Sequence, residues 1–262
     1  MKRLKTTLYI PETYRDGINR ITETFRRHNF ECFMVGGSVR DLLIGHEAYD
    51  FDFATDARPN DVMKLFKRVA PTGIKHGTVT LIIDGQTYEV TTYRSDGVYL
   101  DGRRPESVNF SDSLEEDVMR RDFTINGLAY DLELHEVIDY VGGIDDIAAK
   151  RIRTIGSALD RLGEDGLRSY RACRLASKLG FVIDETTLSA IRDTIRVAEG
   201  VSVERVRDEL IKLLQTDKPS VGLEYMRVTG LLDLFLPELS ACYGVSQNKY
   251  HMHDIYHHCV YS

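Results

Sequence analysis

Hydrophobic and polar positions follow two different patterns along this chain. Before about residue 145, short apolar or β-branched runs are separated by Gly, Asp and Pro, which is typical of strands joined by turns. The predicted strands are residues 32–35, 51–54, 78–83, 87–92 and 136–140. Between them, residues 12–28 and 59–69 carry apolar side chains at helical spacing. The first part of the chain is therefore predicted to be mixed α and β.

After residue 157 the spacing of apolar residues is helical almost throughout. The predicted helices are residues 157–179, 184–197, 203–215, 220–229 and 231–236. The breaks fall at Gly180, Gly200, Pro219, Gly230 and Pro237, residues that cap or stop helices. The pattern predicts an α+β fold, in which a mixed sheet with flanking helices is followed by all-helical modules.

Composition narrows the class of protein. At 262 residues and 42% hydrophobic, the chain can bury a substantial core in one or two domains. A net charge of −7 argues against coating nucleic acid by bulk positive charge, so any such role rests on local basic clusters. The four cysteines include no CxxC pair, no signal-like start is present, and no apolar run approaches the roughly 20 residues of a membrane span. We expect a cytoplasmic protein without a membrane partner.

A glycine pair marks the first candidate site. Gly36 and Gly37 end a predicted strand and open a helix, which leaves backbone N–H groups free for a phosphate. Arg40, expected in the first turn of that helix, supplies a charge-assisted contact to the same phosphate. A plain turn would also explain the glycines.

Two acids follow on the next predicted strand. Residues two apart in a strand face the same way, so Asp50 and Asp52 point to one side while Phe51 and Phe53 enter the core. Two neighbouring carboxylates repel unless a cation lies between them or one is protonated. Mg²⁺ takes oxygen ligands and substrate phosphates, so the pair indicates a metal-nucleotide site. The alternative is two solvated acids on an edge strand.

A third acid, Glu89, lies between Tyr88 and Val90 in an otherwise uncharged strand. If that strand neighbours the Asp50 strand, Glu89 completes the metal cluster or acts as a general base for an incoming hydroxyl. A salt bridge to Arg94 or Lys75 is the alternative.

Seven blocks of the sequence together resemble one family. They read GGSVRDLLIG, DFDFAT, GIKHGTVTL, EVTTYR, RRDFTIN, YVGGIDDI and GEDGLRSYRACRLASKLGF. In this order they resemble the bacterial-type CCA-adding enzymes, whose family includes bacterial poly(A) polymerases and split CC-adding and A-adding forms. The resemblance covers residues 33–214. It implies a polymerase-β-like nucleotidyltransferase head over residues 1–150, a helical neck over 151–215 and a helical body over 216–262.

The resemblance also implies roles for single residues of the head. Asp50 and Asp52 match the metal-binding carboxylates of a two-metal Mg²⁺ site, and Glu89 matches the third acid. The implied nucleotide contacts are Gly37, Arg40, Arg121, Asp122 and Asn126, of which Arg121 meets a phosphate or ribose and the last two lie in the sugar-recognition block.

In the predicted neck, Asp165 and Arg168 match the side chains that read the Watson–Crick edge of the incoming base. A carboxylate accepts from the exocyclic amine that cytosine and adenine share, and a guanidinium donates to a ring nitrogen or carbonyl. Arg171 and Arg174 match triphosphate contacts and form one stripe with Arg168 at helical spacing, for which a solvated basic face is the alternative. Gly166 departs from the family pattern, and we expect it to loosen this helix.

The resemblance also suggests roles for three further parts of the chain. Glu204, Arg205 and Glu209 are expected to brace the neck rather than touch substrate. Residues 94–112 correspond to the loop that the family needs to switch from C to A addition. Residues 250–262 resemble the start of an HD-like module without enough ligands for its metal site, where helix packing and a His-rich surface are favoured over metal binding. We expect the chain to be a fragment whose absent C-terminal part grips the transfer RNA body.

The predicted activity is template-independent CCA addition to the 3′ end of tRNA, with CTP and ATP as substrates and release of pyrophosphate. One alternative is a poly(A) polymerase or an A-adding enzyme, the latter with a separate CC-adding partner. A more distant alternative is a non-catalytic module that binds RNA or nucleotide. The oligomeric state is not predicted.

Overall fold

The structure is a computed structural model, and it describes residues 1–96, 108–248 and 250–261. The described residues form two compact units, one that ends at Ala149 and one that begins at Lys150. The finer division into head, neck and body stays a prediction.

An eight-stranded sheet forms the centre of the first unit. The strands of this unit are β1 (Lys2–Lys5), β2 (Cys32–Val35), β3 (Phe51–Thr55), β4 (Val69–Gly73), β5 (Thr78–Ile83), β6 (Gln86–Thr92), β7 (Arg94–Asp96), β8 (Val108–Phe110), β9 (Leu128–Asp131) and β10 (Glu136–Asp139). Strands β7 and β8 pair with each other, and the other eight follow the order β1-β10-β9-β2-β3-β6-β5-β4. Every neighbouring pair in the large sheet is antiparallel except β3 with β6.

Helices cover this sheet. They are α1 (Glu12–Arg27), α2 (Gly37–Leu43), α3 (Pro59–Leu65), α4 (Leu114–Met119) and α5 (Gly143–Ala148). The amphipathic α1 buries Ile18, Ile21 and Phe25, which share one core with Phe51 and Phe53 of β3. Because these two phenylalanines face the core, the residue between them on β3 faces the other side of the sheet.

The second unit is helical apart from one short parallel pair, β11 (Arg151–Ile152) with β12 (Val182–Ile183). Its helices are α6 (Ala158–Glu164), α7 (Leu167–Leu179), α8 (Glu185–Asp193), α9 (Ile195–Glu199), α10 (Val203–Leu214), α11 (Pro219–Thr229), α12 (Leu231–Phe235), α13 (Pro237–Ala241) and α14 (Ile255–Tyr261). Helix α7 packs against α10 and α11. The backbones of α7 and α11 lie close together, since a Cβ at Gly222 would lie 2.7 Å from the carbonyl oxygen of Cys173. The N–H of Gly222 also donates to Ser177 Oγ at 2.7 Å.

The predicted fold class is confirmed, while several element boundaries were wrong. The predicted helix over residues 157–179 is two helices, α6 and α7, because Asp165 takes an extended conformation between them. The predicted helix over 59–69 ends earlier, since Phe66 is extended and the chain enters β4. Within the large sheet, strands β1, β4 and β9 were not predicted. Strand β1 has the polar sequence KRLK and is mostly exposed, so it lacks the alternation that marks a half-buried strand.

Candidate active site

Three carboxylates lie at the same part of the large sheet. Strand β3 pairs with β6 in parallel, and this register places Asp52 directly opposite Glu89. Asp50 comes immediately before β3. Phe51 and Phe53 are 1% and 0% exposed, as the predicted alternation requires. The fold thus brings the third acid, distant in sequence, beside the DxD pair.

The environment of Asp52 shows that these charges interact. Burial, together with the negative charges of Glu89 and Asp50, raises the pKa of Asp52 to about 6, and the positive charge of Arg121 partly offsets this rise. Asp50 and Glu89 are themselves exposed. Removing water from one of several like charges disfavours its ionised form, and a cation between the acids would relieve this.

Asp50 and Asp52 have the chemistry of ligands for a divalent cation. Carboxylate oxygens are hard ligands, and Mg²⁺ is commonly held by one or two of them together with substrate phosphates. Asp50 is open to such a substrate because it is exposed. Within residues 1–96, 108–248 and 250–261, no group of three or more His, Cys, Asp and Glu side chains has the arrangement of a metal cage. The role of Glu89 as a metal ligand or a base stays a prediction.

The glycine turn between β2 and α2 lies against these acids. Gly36 has φ 81° and ψ −142°, a conformation that is essentially restricted to glycine. A Cβ at this position would lie 3.3 Å from Nη1 of Arg121 and 3.8 Å from Oδ2 of Asp52. The absence of a side chain at Gly36 therefore leaves room where the guanidinium and the carboxylate approach each other.

Arg40 is buried and held by neighbouring polar side chains. It is the fourth residue of α2 and only 3% exposed. Its Nη2 and Nε lie 2.7 and 2.8 Å from Oδ1 of Asp41, and its Nη1 donates to the side-chain oxygen of Asn126. Nη2 also lies 3.4 Å from where a Cβ of Gly37 would be. The guanidinium thus lies under the glycine turn and joins it to Asn126, and its contact with a phosphate stays a prediction.

The Arg120-Arg121-Asp122 block is ordered by an acid that the sequence analysis did not single out. Asp117 of α4 is 0% exposed and accepts from both Arg120 and Arg121. The spacing of an acid three and four residues before two arginines on a helix was the available signal. Asp122 Oδ1 accepts from the Phe123 N–H at 2.8 Å and from Nδ2 of Asn126 at 3.1 Å.

The YVGGIDDI segment, residues 140–147, packs against Thr124, which follows this block. The carboxylate of Asp139 accepts four backbone N–H groups, those of residues 141–144, at 2.8 to 3.1 Å. A Cβ at Gly143 would lie 2.2 Å from the carbonyl oxygen of Thr124, so only glycine permits this approach. Thr124 in turn donates to Asp146 at 2.6 Å. No local pattern in this segment indicates these contacts.

In the second unit, both predicted base-reading residues are held by neighbours. Asp165 Oδ2 accepts from Nη2 of Arg205 at 2.8 Å, and its Oδ1 accepts from the N–H of Leu167 at 3.0 Å. Arg168 donates to the carbonyl of Arg161 at 2.7 Å and also to Glu164. Base recognition by this pair stays a prediction, and the arrangement provides two fixed side chains that flank the start of α7.

The arginine stripe of α7 is partly neutralised inside its own unit. Nε of Arg174 donates to Glu209 on α10 at 2.5 Å, and Arg168 pairs with Glu164. Glu209 thus connects α10 to α7, and Arg205 connects α10 to Asp165, which lies between α6 and α7. That these residues brace a neck rather than touch substrate stays a prediction. The repulsion between the arginines is relieved by these acids, so the stripe is weaker support for a polyanion than its sequence suggested.

Gly166 was misinterpreted in the sequence. It does not loosen a helix, because it lies before the first residue of α7 rather than inside it. A Cβ here would lie 2.4 Å from the carbonyl oxygen of Val197 and 2.7 Å from Cα of Ala198. The glycine instead allows the end of α9 to pack against the start of α7.

The remaining predicted stretches are only partly described. The β7–β8 pair forms the described ends of the loop predicted over residues 94–112, and residues 97–107 lie outside the described part. Near the C-terminus, Asp254 accepts from the N–H of His257 at 2.7 Å and lies 2.8 Å from its Nδ1, a contact that orders the first turn of α14. Among the described helices, none has the length and apolar character needed to cross a membrane.

Comparison with known proteins connects both units to one family. Residues 32–153 match the family model of the poly A polymerase head domain. Residues 180–243 match the model described as the probable RNA and SrmB-binding site of polymerase A. The two matches cover the candidate acids, the arginine block and most of the second unit.

Individual relatives agree with these models. The chain is 47% identical over 221 residues to a CCA-adding enzyme of Geobacillus kaustophilus, which covers 84% of this chain and 54% of the relative. It is 44% identical over 237 residues to a CCA-adding enzyme of Latilactobacillus sakei, covering 90% and 59%. The chain thus spans little more than half the length of these relatives.

Solved structures give the same result. The CCA-adding enzyme of Bacillus stearothermophilus in complex with CTP superposes with a TM-score of 0.80 at 37% identity, over 90% of this chain and 59% of that one. A tRNA nucleotidyltransferase complexed with a primer tRNA and an incoming ATP analog gives 0.70 at 28% identity, over 88% and 64%. Nucleotidyltransferases of this kind use divalent metal ions. The chain belongs to the family of CCA-adding enzymes and poly(A) polymerases.

Proposed function

We propose that this chain carries the catalytic part of an enzyme that adds CCA, without a template, to the 3′ end of tRNA. The observation that carries the proposal is the meeting of Asp50, Asp52 and Glu89 beside a glycine turn and the guanidinium of Arg121. Nucleotidyl transfer needs acids that bind a metal, a turn that admits a phosphate and a cation that neutralises the charge of that phosphate.

The reaction is in-line displacement at the α-phosphate of CTP or ATP. The 3′-hydroxyl oxygen of the RNA attacks the α-phosphorus, the O3′–P bond forms, and the bond to pyrophosphate breaks. The hydroxyl proton leaves to a base, which we assign as Glu89 because it is exposed and lies opposite Asp52. Mg²⁺ bound at Asp50 and Asp52 would stabilise the charge on the attacking and leaving oxygens.

The other residues of the head bind and orient the triphosphate. Gly36 and Gly37 let it approach the backbone at the start of α2. Arg121 offsets its negative charge from a position beside Asp52. Arg40 fixes the turn through its contacts with Asp41 and Asn126. With a pKa of about 6, Asp52 is mostly ionised at neutral pH and available to a metal.

Choice of the base falls to Asp165 and Arg168 in this proposal. Their orientation is maintained by Arg205 and by the Arg161 carbonyl. A carboxylate acceptor beside a guanidinium donor matches cytosine and adenine and mismatches uracil and guanine. This supports two accepted nucleotides, CTP and ATP, rather than ATP alone. Arg171 and Arg174 are the candidates for further contact with the triphosphate.

The proposed setting is the cytoplasm, where the substrate is tRNA. The four cysteines are free thiols in the structure, which suits a reducing compartment. An A-adding enzyme that works after a CC-adding partner is the second candidate, since the same acids and glycine turn serve both reactions.

Sequencing of products tests the proposal. The chain and Mg²⁺ are incubated with tRNAs ending at the discriminator base, at C or at CC, with all four nucleoside triphosphates. Extension of all three to CCA is the expected result. Addition of A to the CC-ended substrate alone would replace the proposal with the A-adding alternative, and long A tails would indicate a poly(A) polymerase. Absence of any extension would contradict an independent catalytic part.

A further inference from the structure

Asp117 is the most completely buried acid near the proposed site. Its side chain is 0% exposed, and both of its oxygens are occupied. Oδ1 accepts from Nη2 and Nε of Arg120 at 2.6 and 3.0 Å, and Oδ2 accepts from Nη2 and Nε of Arg121 at 3.0 and 3.3 Å. Burial raises the pKa of Asp117, but Arg121 and Arg120 outweigh that effect and lower it, so the carboxylate is held ionised.

The backbone that carries Asp117 is fixed beside the glycine turn. Helix α4 buries Leu114 and Val118, the residues that flank Asp117 on its inner face. Both belong to one apolar cluster with Val35, the last residue of β2. Because Val35 is followed directly by Gly36, α4 and the glycine turn are attached to the same packed cluster. The carboxylate therefore has a defined position relative to that turn.

One edge of the Arg121 guanidinium contacts Asp117, and the other edge faces the glycine turn. Asp117 takes the edge formed by Nε and Nη2. The remaining nitrogen, Nη1, lies 3.3 Å from the position of a Cβ on Gly36, where Oδ2 of Asp52 is also close at 3.8 Å. A guanidinium is planar, so fixing one edge fixes the direction of the donors on the other.

We propose that Asp117 is a positioning residue that aims Arg121 at the triphosphate across the Gly36 turn. The inference rests on the proposed function, because that function supplies the ligand that Arg121 meets. Asp117 touches no substrate itself and acts only through Arg121. Its second oxygen holds Arg120, which provides an internal comparison, since loss of Arg120 leaves the Asp117–Arg121 contact in place.

The test compares Asp117→Asn with Glu116→Gln, which makes the same change of charge one residue earlier at an exposed position of α4. For Asp117→Asn we expect a rise in KM for CTP and a loss in kcat/KM of about 100-fold, the typical effect of a misplaced catalytic contact. Glu116→Gln and Arg120→Gln should stay within about twofold of the unaltered chain in KM. KM is independent of the fraction of enzyme that is folded, so a merely structural role does not move it.

A double-mutant cycle makes the test specific. In a chain that already carries Arg121→Gln, adding Asp117→Asn should change kcat/KM by less than about twofold, because the residue acts through Arg121. Independent, additive losses would overturn the inference. If Asp117→Asn folds poorly, Asp117→Glu keeps the charge and displaces the carboxylate by one methylene group, and it should also raise KM.

Equilibrium binding of labelled CTP separates this inference from the proposed function. Binding does not need turnover, so weaker binding by Asp117→Asn than by Glu116→Gln supports the positioning role even if no nucleotide is incorporated. Absent incorporation by the unaltered chain would then count against the proposed function alone. Equal CTP binding and equal KM in the two variants would overturn the positioning role.

Discussion

Replacing Gly166 with alanine should destabilise the protein, although glycine is usually the poorer residue near a helix. Gly166 already has helical φ and ψ angles of −58° and −23°. On local grounds alone, alanine would therefore stabilise by about 0.4–1 kcal/mol, by restricting the unfolded chain. The packing of α9 reverses this expectation.

The magnitude follows from the atoms that the new Cβ would meet. They are the carbonyl oxygen of Val197 at 2.4 Å, and the carbonyl carbon of Val197 and Cα of Ala198 at 2.7 Å. All three belong to the backbone, so no side chain can rotate away, and α9 or α7 must shift. Inserting a methyl group into a packed interior typically costs about 1–3 kcal/mol. The net change expected for Gly166→Ala is a loss of about 1–2 kcal/mol.

Gly163→Ala is the matched control. Gly163 lies within α6, three residues earlier, and a Cβ there would meet no atom within 4 Å. That substitution should stabilise by up to about 1 kcal/mol. Denaturant unfolding followed by helical circular dichroism compares the midpoints of the two variants at constant slope. Equal or greater stability of Gly166→Ala would refute the close approach of α9 to α7.

Two further predictions concern charge. Asp52→Asn should raise the free energy of unfolding without metal by up to about 3 kcal/mol above pH 6, because ionising Asp52 disfavours the folded state. The pKa of Asp52 is about 6 in the folded state and about 3.9 in the unfolded state, so the gain in stability should disappear below pH ~4. Denaturant unfolding at pH 4 and pH 8 measures this difference. A gain that is independent of pH would contradict the prediction. Arg205→Ala removes the 2.8 Å contact to Asp165, and we expect this variant to discriminate CTP from UTP less well in an incorporation assay. Unchanged selectivity would show that the orientation of Asp165 does not depend on Arg205.

The parts of the site that were predictable are those encoded locally. The glycines Gly36 and Gly37 are adjacent in the sequence, and the acids Asp50 and Asp52 are two residues apart. Strand alternation alone places these two acids on one face. Glu89 was singled out as an acid in an otherwise uncharged strand, and the resemblance to a family then matched it to the third acid. Its position opposite Asp52 depends on a parallel pairing of β3 with β6, which no short-range pattern specifies.

Other features depend on contacts between distant segments. The role of Gly166 is set by the backbone of Val197 and Ala198, so the sequence around the glycine suggested only helix propensity. The sequence suggested a phosphate contact for Arg40, and only the structure shows its contacts with Asn126 and Asp41. Asp117 had a local signal in its spacing from two arginines, but only the structure shows that it is buried and accepts hydrogen bonds from both of them.

The central claim is that the acids before and within β3 perform nucleotidyl transfer. The most direct measurement is incorporation of labelled CTP into tRNA by Asp50→Ala, compared with Asp16→Ala, which removes an exposed acid from α1. Asp50 is exposed, so its loss should leave the fold intact while lowering turnover by several orders of magnitude, through loss of metal binding. Asp16→Ala should retain full activity. Near-normal incorporation by a folded Asp50→Ala variant would contradict the account.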